Sequence, residues 1–203
     1  ILKLSIAMSQ LEQFSIIDRD DQLMMFRLIR GKDDKKNPNQ LPKPQELCDL
    51  YSFARNTRQK LSDALEKQHP EHLAFKDQIA EIMKEYETRK RARSFLDYDD
   101  ILAIVASALD QSDGLADYVA SLCKRMLVDE MQDTSISQYA LLKKLTAGWV
   151  PGDGRTLFCV GDPMQSIYRF RDAEVGQFLL ARQNGIGDVK LDSLVLRRNF
   201  RSG

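Results

Sequence analysis

Met126-Leu127-Val128 followed by Asp129-Glu130-Met131-Gln132-Asp133 is the segment on which the interpretation of this chain turns. A short apolar run ends in two adjacent carboxylates, and a helical pattern over 134–147 follows. In open α/β sheets, ligands bind beyond the carboxyl ends of the strands. An Asp placed there can hold Mg²⁺ through its water shell, because Mg²⁺ is a hard cation that favours a few carboxylate oxygens. The neighbouring Glu can orient and polarise a water for in-line attack on a γ-phosphate. An acidic pair after a strand also serves as a plain solvated turn that helps to cap the next helix, so its surroundings must decide.

On either side of this segment the pattern continues. Leu157-Phe158-Cys159-Val160 and the stretch 189–196 are further short apolar runs bounded by turn signals. Runs of this kind suit strands buried on both faces of a parallel sheet. Helical patterns at 134–147 and 172–183 alternate with them, and strand–helix–strand order implies an α/β fold. Upstream the chain reads as helical. Asp18, with Asp21 three residues on, makes an N-cap, Leu23, Met24, Leu28 and Ile29 follow at helical spacing, and Gly31 sits where a helix ends. Residues 32–45, with three prolines, read as a loop. A second helical pattern runs from Gln45 through Leu65 and stops at Pro70. A third spans 71–93, with Ile79, Ile82, Met83 and Tyr86 on one face, and closes in the basic run Arg89-Lys90-Arg91-Ala92-Arg93. Asp97 can cap a further helix bearing Ile101, Leu102, Val105 and Leu109. The expected organisation is a helical part, 1–93, and an α/β part, 94–203.

The chain has 203 residues, 43% of them hydrophobic, with 30 Lys plus Arg against 30 Asp plus Glu. Zero net charge leaves no overall basic footprint, so nucleic acid would be held by local charge or by stacking. Three scattered cysteines, Cys48, Cys123 and Cys159, point to a reducing, cytoplasmic setting rather than a disulfide framework, and Cys123 and Cys159 read as core residues. No apolar run approaches the roughly 20 residues of a membrane helix. The start, Ile1-Leu2-Lys3-Leu4, carries neither an initiator Met nor a signal-peptide pattern, and reads as a segment of a longer protein.

Two more segments carry chemistry. Gly161-Asp162-Pro163-Met164-Gln165-Ser166-Ile167-Tyr168-Arg169-Phe170-Arg171 also follows an apolar strand. Gln165 offers an amide that can read the presence of a γ-phosphate. Tyr168 and Phe170 offer flat faces, on which base stacking is worth roughly 1–3 kcal/mol per base, and Arg171 can reach a phosphate or stack. The plainer reading is a Gly-Asp turn leading into an aromatic helix start in the core. Leu196-Arg197-Arg198-Asn199-Phe200-Arg201-Ser202 could bring a guanidinium to a transferring phosphoryl group, or be a basic surface strand.

DEMQDT, GDPMQSIYRFRDA and LRRNFRS, in that order, resemble motifs II, III and IV of the UvrD/Rep-type superfamily 1 DNA helicases. Ile16-Ile17-Asp18-Arg19-Asp20-Asp21-Gln22 and Phe95-Leu96-Asp97-Tyr98-Asp99-Asp100 resemble the segments that flank the helical 1B subdomain of that family. The resemblance implies part of a RecA-like, P-loop NTPase parallel sheet, the C-terminal part of motor domain 1A, with a mainly helical 1B-like subdomain in front. It implies ATP and Mg²⁺ as cofactors and single-stranded DNA as the track, with 3′–5′ movement. Residue by residue, it makes Asp129 the Mg²⁺ ligand, Glu130 the catalytic base and Gln132 a support of the ATP site. Gln165 would sense the γ-phosphate, and Tyr168 and Phe170 would stack on DNA bases. Arg171 would link the DNA and nucleotide sites, Phe200 would stack on adenine, and Arg201 would touch the γ-phosphate.

There are departures. Phe170 stands where UvrD-like members usually carry Trp, a feature similar to the RecB/AddA helicase-nuclease branch, whose nuclease domain would lie downstream. Asp172 replaces a usual Gly, and Met131 a usual Phe or Tyr. No G-x-x-x-x-G-K-[ST] occurs in the chain, so the phosphate cradle must come from the rest of a parent helicase, as must the second RecA-like domain. The competing reading is a DNA-binding or scaffolding module without turnover, against which the set Asp129, Glu130, Gln165 and Arg201 argues. The basic run 89–93 reads as the solvated end of a helix or as a contact to DNA phosphates. His69 and His72, split by Pro70-Glu71 and with no matched third ligand in the sequence, read as surface residues rather than a metal site.

Overall fold

The computed structural model describes residues 14–31, 41–111, 113–165 and 175–196. Strand β1 (Ser15–Ile16) leads into helix α1 (Arg19–Arg30), then α2 (Pro44–Thr57), α3 (Leu61–Gln68), a 3-10 turn (Pro70–Phe75) and α4 (Lys76–Ala92). Strand β2 (Phe95–Leu96) follows, then α5 (Tyr98–Gln111), α6 (Asp113–Leu122), β3 (Arg125–Val128), a 3-10 turn (Met131–Asp133), α7 (Ile136–Leu145), β4 (Thr156–Cys159) and α8 (Val175–Asn184). β1 lies parallel to β2, pairing Ser15 with Phe95 and Ile16 with Leu96. The helices α1–α4 are therefore an excursion that leaves and returns at adjacent strands. β3 and β4 form a second parallel pair in register Arg125–Thr156 to Val128–Cys159. The fold is α/β with small parallel sheets.

The expected caps form. The Asp18 carboxylate accepts the Asp21 N–H at 2.9 Å, and Gly31, at φ 80°, ends α1. Asp97 caps α5 by accepting the Asp100 N–H at 2.8 Å. The single helix expected from Gln45 to Pro70 is instead two, parted at Arg58, which takes a left-handed conformation (φ 55°). A continuous helix over 44–68 would run roughly 37 Å at 1.5 Å per residue. The turn brings Ala64 and Leu65 back onto the same core as Leu47, Leu50 and Phe53. The third helix starts later than its pattern suggests, because Pro70 opens a 3-10 turn before α4.

Two expectations on strands fail. The stretch 189–196 carries only a bridge, Ile186 to Val189, and Leu194 and Leu196 are bare. An apolar run becomes a strand only where another strand pairs with it, and among the described residues none does. β3 and β4 are also not buried on both faces. Met126, Val128, Leu157 and Cys159 pack beneath α7 and α8, whereas Leu127 and Phe158 are 69% and 56% exposed. Parallel sheets need helices on each face, and the described residues cover one. Cys48 is buried, and burial pushes its thiol up to about 12. Cys123 and Cys159 are half-buried rather than core, though Cys159 abuts the smaller core.

The larger core lies within α1–α4, where Phe26 stacks on Tyr86 with ring centroids 4.4 Å apart. Beside it sits a buried cation. Lys90 belongs to the basic run read as solvated or DNA-facing, yet it is 1% exposed. Its ammonium donates to Asp97 and Asp100 at 2.6 Å each, and to the Tyr51 hydroxyl at 3.1 Å. The Tyr86 hydroxyl also donates to Asp97. Arg91 and Arg93 stay exposed, so only part of the run fits the expectation. Burial alone raises the Asp97 carboxyl, but Lys90 and the capping amide outweigh it and hold the group below the ordinary carboxylate range. Asp100 moves the other way, raised by burial and by the charge on Asp97.

Lys90→Met keeps the stem and removes the charge, leaving Asp97 buried without compensation. Urea unfolding followed by circular dichroism should show a loss of about 3–5 kcal/mol near neutral pH. Asp97 has a depressed folded-state pKa, so its contribution is present above the ordinary carboxylate range and fades as the pH falls through the folded value. The gap between variant and wild type should therefore narrow in acid.

Candidate functional site

The chain leaves β3 at Val128, and Glu130 takes a left-handed conformation, φ 50° and ψ 41°. For a residue with a Cβ that backbone costs on the order of 1–2 kcal/mol, so its surroundings must impose it. They do so from both sides. The Glu130 N–H donates to the Asp129 carboxylate at 2.9 Å. The Gln132 amide nitrogen donates to the Glu130 carboxylate at 2.6 Å.

Gln132 is 1% exposed, and its amide oxygen accepts the Asp162 N–H at 3.0 Å. The Met131 N–H donates to the Val160 carbonyl at 2.9 Å, and the Val160 N–H to the Val128 carbonyl at 2.8 Å. The loop after β3 and the loop after β4 are thus fastened side by side at the carboxyl ends of parallel strands. Gly161 makes the approach feasible. A Cβ there would stand 2.8 Å from the Gln132 amide oxygen, 2.9 Å from the Phe178 ring and 3.2 Å from the Gln132 nitrogen.

In the second loop, Gln165 donates its side-chain amide to the Asp162 carboxylate at 2.8 Å. The Met164 N–H and the Gln165 amide hold that carboxyl below its ordinary range. Gln165 itself is exposed. Asp129 and Glu130 border a cleft of about 390 Å³ with Asp133, Thr134 and Gln138. Both carboxylates are exposed, and an oxygen-only donor set of this kind suits Mg²⁺ bound largely through water. Tyr168, Phe170, Arg171, Phe200 and Arg201 lie outside the described residues, so the structure brings together Asp129, Glu130, Gln132 and the 161–165 loop from the expected set.

Residues 1–185 match the family described as UvrD/REP helicase N-terminal domain. The chain is 30% identical over 202 residues to the ATP-dependent DNA helicase UvrD1 of Mycobacterium tuberculosis, covering 93% of this chain and 24% of that protein. It is 30% identical over 189 residues to the ATP-dependent DNA helicase Rep of Buchnera aphidicola, covering 93% and 27%. It is 33% identical over 159 residues to an ATP-dependent helicase/nuclease subunit of Listeria monocytogenes, covering 74% and 12%. The chain belongs to the UvrD/REP helicase N-terminal domain family. It spans about a quarter of the length of the first two relatives.

Within this UvrD/REP domain the acid pair has supports that the sequence pattern did not reveal. Ser135 caps α7 by accepting the Gln138 N–H at 3.2 Å. The Ser137 hydroxyl donates to the Asn56 carbonyl at 2.9 Å, and Asn56 donates its amide to Asp99 at 3.0 Å. Residues 81 positions apart carry no local signal of such a contact. Gly161 did carry one, as a glycine directly after a strand, but its fit against Gln132 is a tertiary fact.

Gly161→Ala should displace Gln132, which is buried and tied at both ends. We expect a loss of about 1–3 kcal/mol of stability, as for other overpacked sites. Thermal unfolding of the purified chain checks this; an unchanged midpoint would show that the two loops are not held as described.

Proposed function

We propose that this chain is part of the motor of an ATP-dependent, 3′–5′ superfamily 1 DNA helicase that acts in DNA repair or recombination. Residues 1–93 would form the helical 1B-like subdomain and 94–203 the C-terminal part of the RecA-like domain 1A. The observation that carries this is the acid pair at the end of β3, braced by Gln132 against the loop that ends β4. Membership of the UvrD/REP family supports it.

In this reading the Asp129 carboxylate holds a hydrated Mg²⁺, which when bound neutralises charge on the β- and γ-phosphates of ATP. Glu130 accepts a proton from the attacking water, and its carboxylate is aimed by Gln132. Gln165, tethered to Asp162, reports the γ-phosphate to the adjoining loop. Tyr168 and Phe170 stack on bases of single-stranded DNA, Arg171 joins that track to the nucleotide, Phe200 stacks on adenine, and Arg201 meets the γ-phosphate. The exposed apolar face bearing Leu127 and Phe158 suits packing by the remainder of the parent helicase, which would supply the phosphate loop. No helix among the described residues is long and apolar enough to cross a membrane, and a cytoplasmic setting fits the reading. Phe170 and the likeness to a helicase/nuclease protein favour a parent associated with a nuclease, on the same chain or on a separate one. Finding an Asp…Glu-x-Lys cluster of the nuclease type in the C-terminal part of the parent would establish that branch.

Without a phosphate loop in its sequence, the chain alone should show no Mg²⁺-dependent, DNA-stimulated ATPase. In the full-length parent, Glu130→Gln should lower kcat by about 10²–10⁴-fold, the range of a positioned general base, while filter binding of ATP is retained. Unchanged turnover would refute the role given to Glu130.

A further inference from the structure

Three metal-ligating side chains converge in the helical layer, away from the acid pair in sequence and in element. Pro70 fixes the start of the 3-10 turn after α3, and the His72 N–H donates to the His69 carbonyl at 2.9 Å. This closure sets His69, Glu71 and His72 side by side. The His69 Nδ1 lies 3.1 Å from Glu71 Oε1, and His72 Nε2 lies 3.8 Å from the same oxygen. All three ligand atoms fall within 4.8 Å of one another. Glu46 of α2 borders this cluster without joining it, its Oε2 standing 3.7 Å from His72 Nε2. Glu46 is already immobilised there as the residue that accepts the Lys43 N–H at 2.6 Å.

The geometry points to a divalent transition-metal site, of the class that takes Zn²⁺, formed by His69, Glu71 and His72, with Glu46 as an outer partner beside His72. In a tetrahedral site with bonds of 2.0–2.1 Å, neighbouring ligand atoms lie roughly 3.3–3.4 Å apart. The separations of the two imidazole nitrogens from the Glu71 oxygen, 3.1 and 3.8 Å, bracket that value. Two imidazoles select zinc-like ions over Mg²⁺ or Ca²⁺, which prefer oxygen alone. The charges agree, because the Glu71 carboxylate and the neighbouring Glu46 carboxylate offset a divalent cation. The side chains of His72, His69 and Glu46 are 17%, 21% and 32% exposed, whereas that of Glu71 is 59% exposed. The two imidazoles are thus held by packing and Glu71 leaves a way in. The metal clasps the turn between α3 and α4.

Untagged chain should bind one Zn²⁺ by calorimetry, and Co²⁺ should give the visible absorption of a four-coordinate ion. At metal 100-fold above Kd, the unfolding midpoint should rise by about 5–10 °C. The double variant His69→Ala/His72→Ala should lose this binding. Glu46→Gln, which keeps the capping acceptor, should weaken it by at least about tenfold, the loss seen even when outer partners of ligands are disturbed. X-ray absorption at the zinc edge of the unaltered chain should show imidazole and oxygen neighbours, and so does not depend on a variant folding. No heat and no cobalt spectrum would overturn the site. So would undiminished binding in the double variant, equal affinity in Glu46→Gln, or sulfur neighbours, which would place the ion on the cysteines.

Discussion

One enclosed ammonium organises the join between the helical and α/β parts. Lys90 arrives at the last turn of α4 and meets two carboxylates that belong to the start of α5. Taking an ion pair out of water costs several kcal/mol per charge, recovered only if each remaining donor and acceptor is met. Here they are met: Tyr51 and Tyr86 supply hydroxyls, and Asp97 and Asp100 also cap the helix they begin. The same aromatic rings face the ammonium, with Lys90 Nζ 4.8 Å from the Tyr86 centroid. A cluster that satisfies charge, cap and packing together has few alternative arrangements, and so it fixes where β2 and α5 emerge from the helical layer.

From that fixed point the contacts lead toward the acid pair. Arg55, near the end of α2, pairs with Asp100 at 2.9 Å and with Glu87 at 3.1 Å. Its neighbour Asn56 holds Asp99 on one side and Ser137 on the other. Ser137 lies in the first turn of α7, directly after the loop that carries Asp129, Glu130 and Gln132. The loop bearing the acid pair is therefore bracketed at one end by the helical layer and at the other by the β4 loop through Gln132 and Gly161. Glu130 can be kept in an unfavourable backbone region only because both brackets exist.

How much of this could be read in advance follows the range of the interactions. Caps at Asp18 and Asp97 and the ending of α1 at Gly31 were legible, since each depends on residues within four positions. So was the parallel α/β character, and the motif that placed the acid pair after a strand. The break at Arg58 was not, because no glycine or proline marks it and only the shared core demands it. Lys90 sat in a run that looks solvated; its burial depends on Asp97 and Asp100, seven and ten residues on, folding back across β2. The pattern at 189–196 suggested a strand, but a strand is a pairing, and pairing partners are not a local property. His69 and His72 read as surface residues, and only the 3-10 turn that opens at Pro70 sets them beside Glu71.

The two cores are unequal, and this bears on how the site behaves. The helical layer buries Phe26, Phe53, Tyr86 and a dense set of aliphatic groups, whereas the core under β3 and β4 rests on Met131, Tyr139, Leu142, Ala181 and Ile186. A two-stranded sheet with one open apolar face is marginal by itself. The acid pair thus stands on the weaker part of the chain and takes its order from the stronger part, through Asn56. Regions with few buried contacts open at lower free energy than the rest. Covering the face that bears Leu127 and Phe158 would raise that threshold for β3, β4 and the loops at their ends together. Order at Asp129 and Glu130 is therefore coupled to whatever packs on the open face of the sheet.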